Sequence, residues 1–240
     1  LLQGVTGSGK TEVYLQSIEC VLKMGKTAIV IVPEIVLTAQ TVERFRERFG
    51  DRVAVMHSGL SAGERFDQWR AVSRGNYQVV VGARSAIFAP VKNLGLVVVD
   101  EEHEATYKQN RSPRYHAREV AIRRARLNGA SAILGSATPS IESRYKCEVG
   151  EFHLLGLPYR VENRPLPEIE VVDMREGERS QIFHPRLKEE LDRATRAEDK
   201  VILFLNRRGF ASFIMCRDCG LVMRCRHCAV SLTYHIKMRR

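Results

Sequence analysis

The chain has 240 residues, 44% of them apolar, and a formal net charge of +10, which allows a substantial buried core in one large domain or a domain and a half. Its longest apolar runs, such as AIVIV and LGLVVV, are strand-length and exclude a transmembrane helix. No charged, apolar and small-residue leader opens the sequence, so the expected location is cytoplasmic.

The charge is concentrated. Residues 105 to 126 hold seven Lys/Arg against one acid and residues 206 to 240 hold eight against one, which leaves the remainder net acidic. Localised positive charge is the footprint of contact with phosphates, and equally of a solvated helix face.

In chain order, two leucines lead into Gly4-Val5-Thr6-Gly7-Ser8-Gly9-Lys10-Thr11, which fits G-x-x-x-x-G-K-[ST]. Gly4, Gly7 and Gly9 let backbone N–H groups turn inward with Thr6 and Ser8 around phosphate oxygens. Lys10 reaches the terminal phosphates of ATP, and the Thr11 hydroxyl is placed to ligate Mg²⁺. A helix over 11 to 24 follows, with Val13, Ile18, Val21 and Leu22 on one face and Gly25 as its stop.

Strands are expected at 27 to 32, 52 to 56, 77 to 81, 94 to 99 and 131 to 135, all β-branched runs separated by helical stretches. That alternation predicts an α/β fold, an open parallel sheet with helices on both faces. The fourth strand runs into Asp100-Glu101-Glu102-His103, which places Asp100 to hold Mg²⁺ and Glu101 to orient or deprotonate the attacking water. Phosphate cradle, metal acid and water-positioning group together are what phosphoryl transfer requires.

Around 157 to 180 the text changes, with three prolines in LPYRVENRPLP, and an extended connector is expected. A helix and a buried strand, VILFL, then begin what reads as a second α/β unit. Cys216, Cys219, Cys225 and Cys228 follow as two C-x-x-C pairs, the spacing of Zn²⁺ ligands. Five residues between the pairs make a single closed site possible but tight.

DEEH at 100 to 103 with GSATPS at 135 to 140 resembles the motor core of superfamily-two helicases. VPEIVLTAQ, HSGL, GARSAIFAP, YKQNRSPRYHARE and FLNRRGF are similar to the PriA family, primosomal helicases that restart stalled bacterial replication forks. The resemblance implies a RecA-like lobe over 1–156, a linker over 157–180, the start of a second lobe over 181–215 and part of a zinc-binding insertion over 216–240. On it, Leu1 and Leu2 are the stub of a longer strand, and the four cysteines divide between two nested zincs whose other ligands lie past Arg240. Incomplete zinc occupancy is therefore expected.

The same resemblance makes His103, Ser136, Ala137 and Thr138 the couplers of hydrolysis to DNA movement, and lays Arg84 and Ser85 along the DNA backbone. Residues 104 to 117 correspond to a DNA-sensing aromatic loop. Their composition agrees, since Tyr107 and Tyr115 interleaved with Lys108, Arg111 and Arg114 suit stacking plus phosphate contact; packed tyrosines with solvated arginines are the alternative. Implied partners are single-stranded and forked DNA, primosome proteins and single-stranded DNA-binding protein, in the bacterial nucleoid. The rival readings are another superfamily-two translocase and a non-enzymatic zinc-dependent DNA-binding module.

Overall fold

A strand covered on both faces gains about 1.5–3 kcal/mol from each fully buried Val or Ile, and five such runs appear where the sequence places them. The computed structural model describes residues 1–163, 165, 167–173, 183–204, 216, 219 and 221–223, in two compact units, 1–166 and 167–240. The first unit begins with β1 (Leu2–Gly4), α1 (Lys10–Lys23), β2 (Thr27–Ile31), α2 (Ala39–Phe49), β3 (Val53–Met56) and α3 (Ala62–Arg74). It continues with β4 (Val79–Gly82), β5 (Leu94–Val99), β6 (Lys108–Gln109), β7 (Tyr115–His116), α4 (Ala117–Leu127), β8 (Ser131–Ser136), α5 (Ile141–Glu148) and β9 (Leu155–Leu157).

Seven strands lie side by side in the order β3-β4-β2-β5-β8-β1-β9, and every pairing is parallel. The strands β6 and β7 form a separate antiparallel pair between β5 and α4. Along β2, successive residues serve opposite faces. Ala28 and Val30 pack with Tyr14, Leu15 and Ile18 of α1 and with Phe45 and Phe49 of α2. Ile29 and Ile31 pack with Val72 of α3 and with Ala121, Ile122 and Ala125 of α4. Both faces being covered is why these runs read as continuously apolar.

The buried stripe of α1 differs from the expected one. Tyr14, Leu15 and Ile18 are its buried residues, while Val13, Val21 and Leu22 pack at the margin. Tyr14 is the cause, since its ring occupies the space over Gly135 of β8, where a Cβ would come within 1.6 Å of the phenolic oxygen. Gly135→Ala is expected to lower stability by about 1–3 kcal/mol, read as a lower melting temperature; an unchanged melt would show that the ring yields freely. Gly25, with φ 70°, ends the helix as expected and donates its N–H to the Leu22 carbonyl at 3.0 Å.

Two features depart from the sequence reading. Strand β9, Leu-Gly-Leu without a β-branched residue, extends the sheet beyond β1, and past it the Val161 N–H donates to the Gly7 carbonyl at 3.0 Å. The chain after the sheet thus returns over the loop that follows β1. In the second unit the described residues hold α6 (Pro185–Arg196), entered through His184, whose Nδ1 accepts the Arg186 N–H at 3.2 Å. Val201 to Phe204 do not form the expected buried strand; Ile202 is 93% and Phe204 86% exposed. A buried parallel strand needs ladder partners, and none of the described residues of this unit supplies one. Among the described residues no helix is long and apolar enough to cross a membrane.

Candidate active site

The loop after β1 is shaped by its glycines. Gly7 and Gly9 have φ of 81° and 87°, the left-handed region that glycine enters without steric cost. Gly4 lies so close to the returning loop that a Cβ would meet Ser8 Oγ at 2.5 Å. Helix α1 starts after Gly9 with no side-chain cap, and while the Glu12 N–H donates to the Gly9 carbonyl at 2.9 Å, the Lys10 and Thr11 N–H groups ahead of it are placed to meet an anion. Lys10 Nζ bends back into this cradle and donates to the Gly4 carbonyl at 2.9 Å.

Opposite the loop, β5 runs out into Asp100, whose N–H continues the ladder to the Ile31 carbonyl at 2.9 Å. Tyr14 Oη donates to Asp100 Oδ1 at 2.9 Å. Burial pushes the Asp100 carboxyl above the ordinary aspartate value, against the opposing pull of the Tyr14 hydrogen bond. Glu101 adopts φ 46°, a conformation costing on the order of 1 kcal/mol for a non-glycine residue. The Glu104 N–H on its carbonyl at 2.9 Å and the Glu102 N–H on the Gly135 carbonyl at 3.0 Å hold it there. Burial, and then the neighbouring Asp100 charge, raise the Glu101 carboxyl. Two adjacent acids are thereby kept more basic than free carboxylates.

The coupling residues named from the sequence meet in space. His103 Nδ1 lies 3.6 Å from Glu101 Oε2 and 2.8 Å from Ser136 Oγ, and the Thr138 N–H donates to the same hydroxyl at 2.9 Å. Ala137 sits half-buried between them. Thr6, Gly7, Ser8, Lys10, Asp100 and Glu101 all line one cleft of about 750 Å³.

A family profile described as DEAD/DEAH box helicase matches residues 1–146. The chain belongs to the DEAD/DEAH box helicase family. It is 57% identical over 239 residues to the replication restart protein PriA of Bacillus subtilis, covering 98% of this chain and 30% of that protein. It is 52% identical over 244 residues to the PriA of Synechocystis, covering 98% and 29%. The chain therefore spans about a third of the length of these curated relatives. Among solved structures, the DUF1998 helicase MrfA aligns with a TM-score of 0.50 at 16% identity, covering 86% of this chain and 34% of that one, a likeness of fold alone. The fold is that of a RecA-like helicase lobe.

A helicase of this family uses a nucleoside triphosphate and Mg²⁺, and the cleft fits both. Ser8 Oγ is buried in the cradle with no hydrogen-bond partner, as a donor awaiting a phosphate oxygen would be. Thr11 and Asp100 line the same cleft and offer the hydroxyl and carboxylate oxygens that Mg²⁺ takes as ligands.

The residues expected from the sequence to contact DNA divide. Lys108, Arg114 and Ser85 are exposed, and Tyr115 stands edge-on to Phe88 with ring centroids 5.0 Å apart. Arg84 is turned inward, Nη1 donating to the carbonyls of Thr106 at 2.9 Å and Lys108 at 3.4 Å, so it shapes the β6–β7 hairpin. Tyr107 corrects the expectation of a stacking residue. It is 1% exposed, because its hydroxyl finds the Asp100 carbonyl at 2.5 Å and the Ile31 carbonyl at 3.1 Å. Its place is beneath the acidic turn.

Sequence reasoning missed Tyr14, Glu102, Arg118 and Val161, each of which touches the site or its supports. Of the cysteines, Cys216 and Cys219 are exposed, and Cys225 and Cys228 lie outside the described residues. Among the described residues no cluster of metal-binding side chains forms.

Proposed function

We propose that the chain is part of the motor of an ATP-dependent DNA helicase of the PriA type, moving 3′ to 5′, recognising stalled or recombined forks and restarting replication through primosome assembly. Residues 1–156 are its first lobe, 157–180 a linker, 181–215 the start of the second lobe and 216–240 part of a Zn²⁺-binding region. The observation that supports this reading best is the unbroken run from cradle to DNA-facing hairpin. Lys10, Asp100 and Glu101 share a cleft, His103 and Ser136 join it to the segment after β8, and the Tyr107 hydroxyl ties the base of the hairpin to Asp100.

In this mechanism Lys10 exchanges the Gly4 carbonyl for phosphate oxygens, and the Ser8 hydroxyl and first-turn N–H groups of α1 bind the same anion. Thr11 and Asp100 would hold Mg²⁺, which when bound would supply neutralisation of charge on the phosphates. Glu101 orients the attacking water and takes its proton. His103 and Ser136 carry the altered position of Glu101 to Thr138. Arginines brought to such sites from a second lobe are worth roughly 10³–10⁵ in rate, so the chain by itself is expected to bind Mg-ATP and hydrolyse it slowly.

Lys10→Ala removes a charged hydrogen-bond donor worth about 1.5–3 kcal/mol and is expected to weaken binding of a fluorescent ATP analogue roughly 10- to 100-fold. Equal affinity in wild type and Lys10→Ala would overturn the reading. A zinc-dependent DNA-binding module would bind DNA identically in both proteins and ignore ATP. The paired cysteines are expected to hold zinc incompletely; a chromogenic zinc-release assay giving two tightly held ions per chain would contradict this.

A further inference from the structure

Glu102 is the acid of the turn that nucleotide chemistry leaves unused. It has no solvent exposure, yet its carboxylate is saturated. Oε1 accepts the Ser140 N–H at 2.7 Å, and Oε2 accepts Arg118 Nη1 at 2.7 Å, Ser143 Oγ at 2.8 Å and Ser140 Oγ at 3.1 Å. Arg118 Nη1 also reaches Ser140 Oγ at 2.6 Å, and its Nε donates to Glu119 at 3.0 Å.

These partners come from three places. Glu102 belongs to the turn that carries Asp100, Glu101 and His103. Arg118 stands in the first turn of α4, two residues after the β6–β7 hairpin, and Ser140 caps α5, two residues after Thr138. Burial of an ion pair is a poor device for stability alone, since apolar side chains of similar volume do as well or better. Its distinctive property is orientation: four donors converging on one carboxylate fix three backbone segments with little slack.

We infer that Glu102 and Arg118 are positioning residues, the joint through which occupancy of the hairpin by single-stranded DNA and occupancy of the cleft by nucleotide are felt by each other. A contact that shifts the hairpin displaces the first turn of α4. Arg118 then carries the shift to Glu102, between the catalytic Glu101 and His103, and Ser140 carries it to the segment holding Ser136 and Thr138. Tyr107, at the other foot of the hairpin, is fixed to the Asp100 carbonyl, so both feet stand on the same turn. The inference rests on the reading of the chain as a DNA-dependent ATPase.

The test is a linkage measurement. Affinity of the chain for a fluorescein-labelled oligo-dT is measured by anisotropy with and without a non-hydrolysable Mg-ATP analogue, and affinity for the analogue with and without oligo-dT. The two ratios must agree, because coupling is reciprocal. Wild type is expected to show a coupling factor of about 5 or more. Glu102→Gln/Arg118→Met keeps an acceptor for the Ser140 N–H and a donor for the serine hydroxyls while removing both charges. It is expected to bind each ligand alone within about twofold of wild type, with the coupling factor near one. Arg118→Lys, which keeps the charge and loses the guanidinium fork, is expected to fall between. Undiminished coupling in both variants overturns the inference, as does wild type that binds both ligands independently. Wild type that binds neither ligand overturns the functional reading beneath it, and the inference with it.

Discussion

Glu101→Gln is expected to slow ATP hydrolysis by about 10²- to 10⁴-fold, the range for loss of a general base, while changing Mg-ATP affinity less than about threefold. The separation follows from geometry. Asp100 is clamped from both sides, by the Tyr14 hydroxyl at 2.9 Å on its carboxylate and by the Tyr107 hydroxyl at 2.5 Å on its carbonyl. On the proposed mechanism this is the acid that holds the cation. No tyrosine hydroxyl holds Glu101; its backbone is turned into the left-handed region at φ 46°, and its carboxylate faces the cleft beside His103. Two adjacent acids in different surroundings take different roles. Because slow turnover is expected of the chain by itself, the measurement is single-turnover hydrolysis of labelled ATP with protein in excess. A Glu101→Gln chain hydrolysing at the wild-type rate would remove Glu101 from the chemistry. A parallel loss of rate and affinity would make it a structural support of Asp100.

The sheet and the cradle were legible in the sequence for one physical reason: both are dictated by short-range demands. A strand covered on both faces must be apolar at every position, as LGLVVV is in β5, and a phosphate cradle needs its glycines, Lys10 and Thr11 at fixed spacing. Contacts between distant residues leave no such trace. Tyr14 looks like one more residue on a helix face, yet it reaches Asp100, 86 positions away. Glu102 reads as filler in DEEH, yet it binds Ser140, 38 positions away.

Composition misleads in the same way at the basic block. Tyr107 among Lys and Arg suggests a stacking surface, but two backbone carbonyls within its reach draw it inside. Arg118 and Arg124 count toward the block's charge, yet Arg118 neutralises Glu102, and Arg124 donates to the carbonyls of Ile87 and Ala89. Less of that charge faces phosphates than the formal sum suggests. Strand β9 escaped notice because Leu-Gly-Leu carries no β-branched signature; only the exposed edge of β1 makes it a strand.

Glu102→Ala is expected to destabilise the first unit by about 3–5 kcal/mol, the usual result of stripping one partner from a buried ion pair. Arg118, 8% exposed, would keep a charge with neither water nor its main counter-ion, and the Ser140 N–H would lose its acceptor. Against a total stability of about 5–15 kcal/mol, the variant is expected to melt far below wild type or to fail to fold. Glu102→Gln/Arg118→Met is expected to cost much less, because no charge is orphaned. The pH dependence separates the two explanations for such a difference, charge and shape. Burial by itself would raise the Glu102 carboxyl, but the Ser140 N–H, Arg118 and Ser143 together hold it below the ordinary glutamate value. A depressed pKa means the group contributes stability above its unfolded value, about 4.3, and loses it as pH falls through that value toward the folded one. Urea denaturation of wild type should therefore weaken more steeply as pH falls from about 5 through about 4.3 and below than that of the double variant, and the gap between them should narrow with acid. Parallel curves would place the stabilisation in packing around Glu102 instead of in its charge.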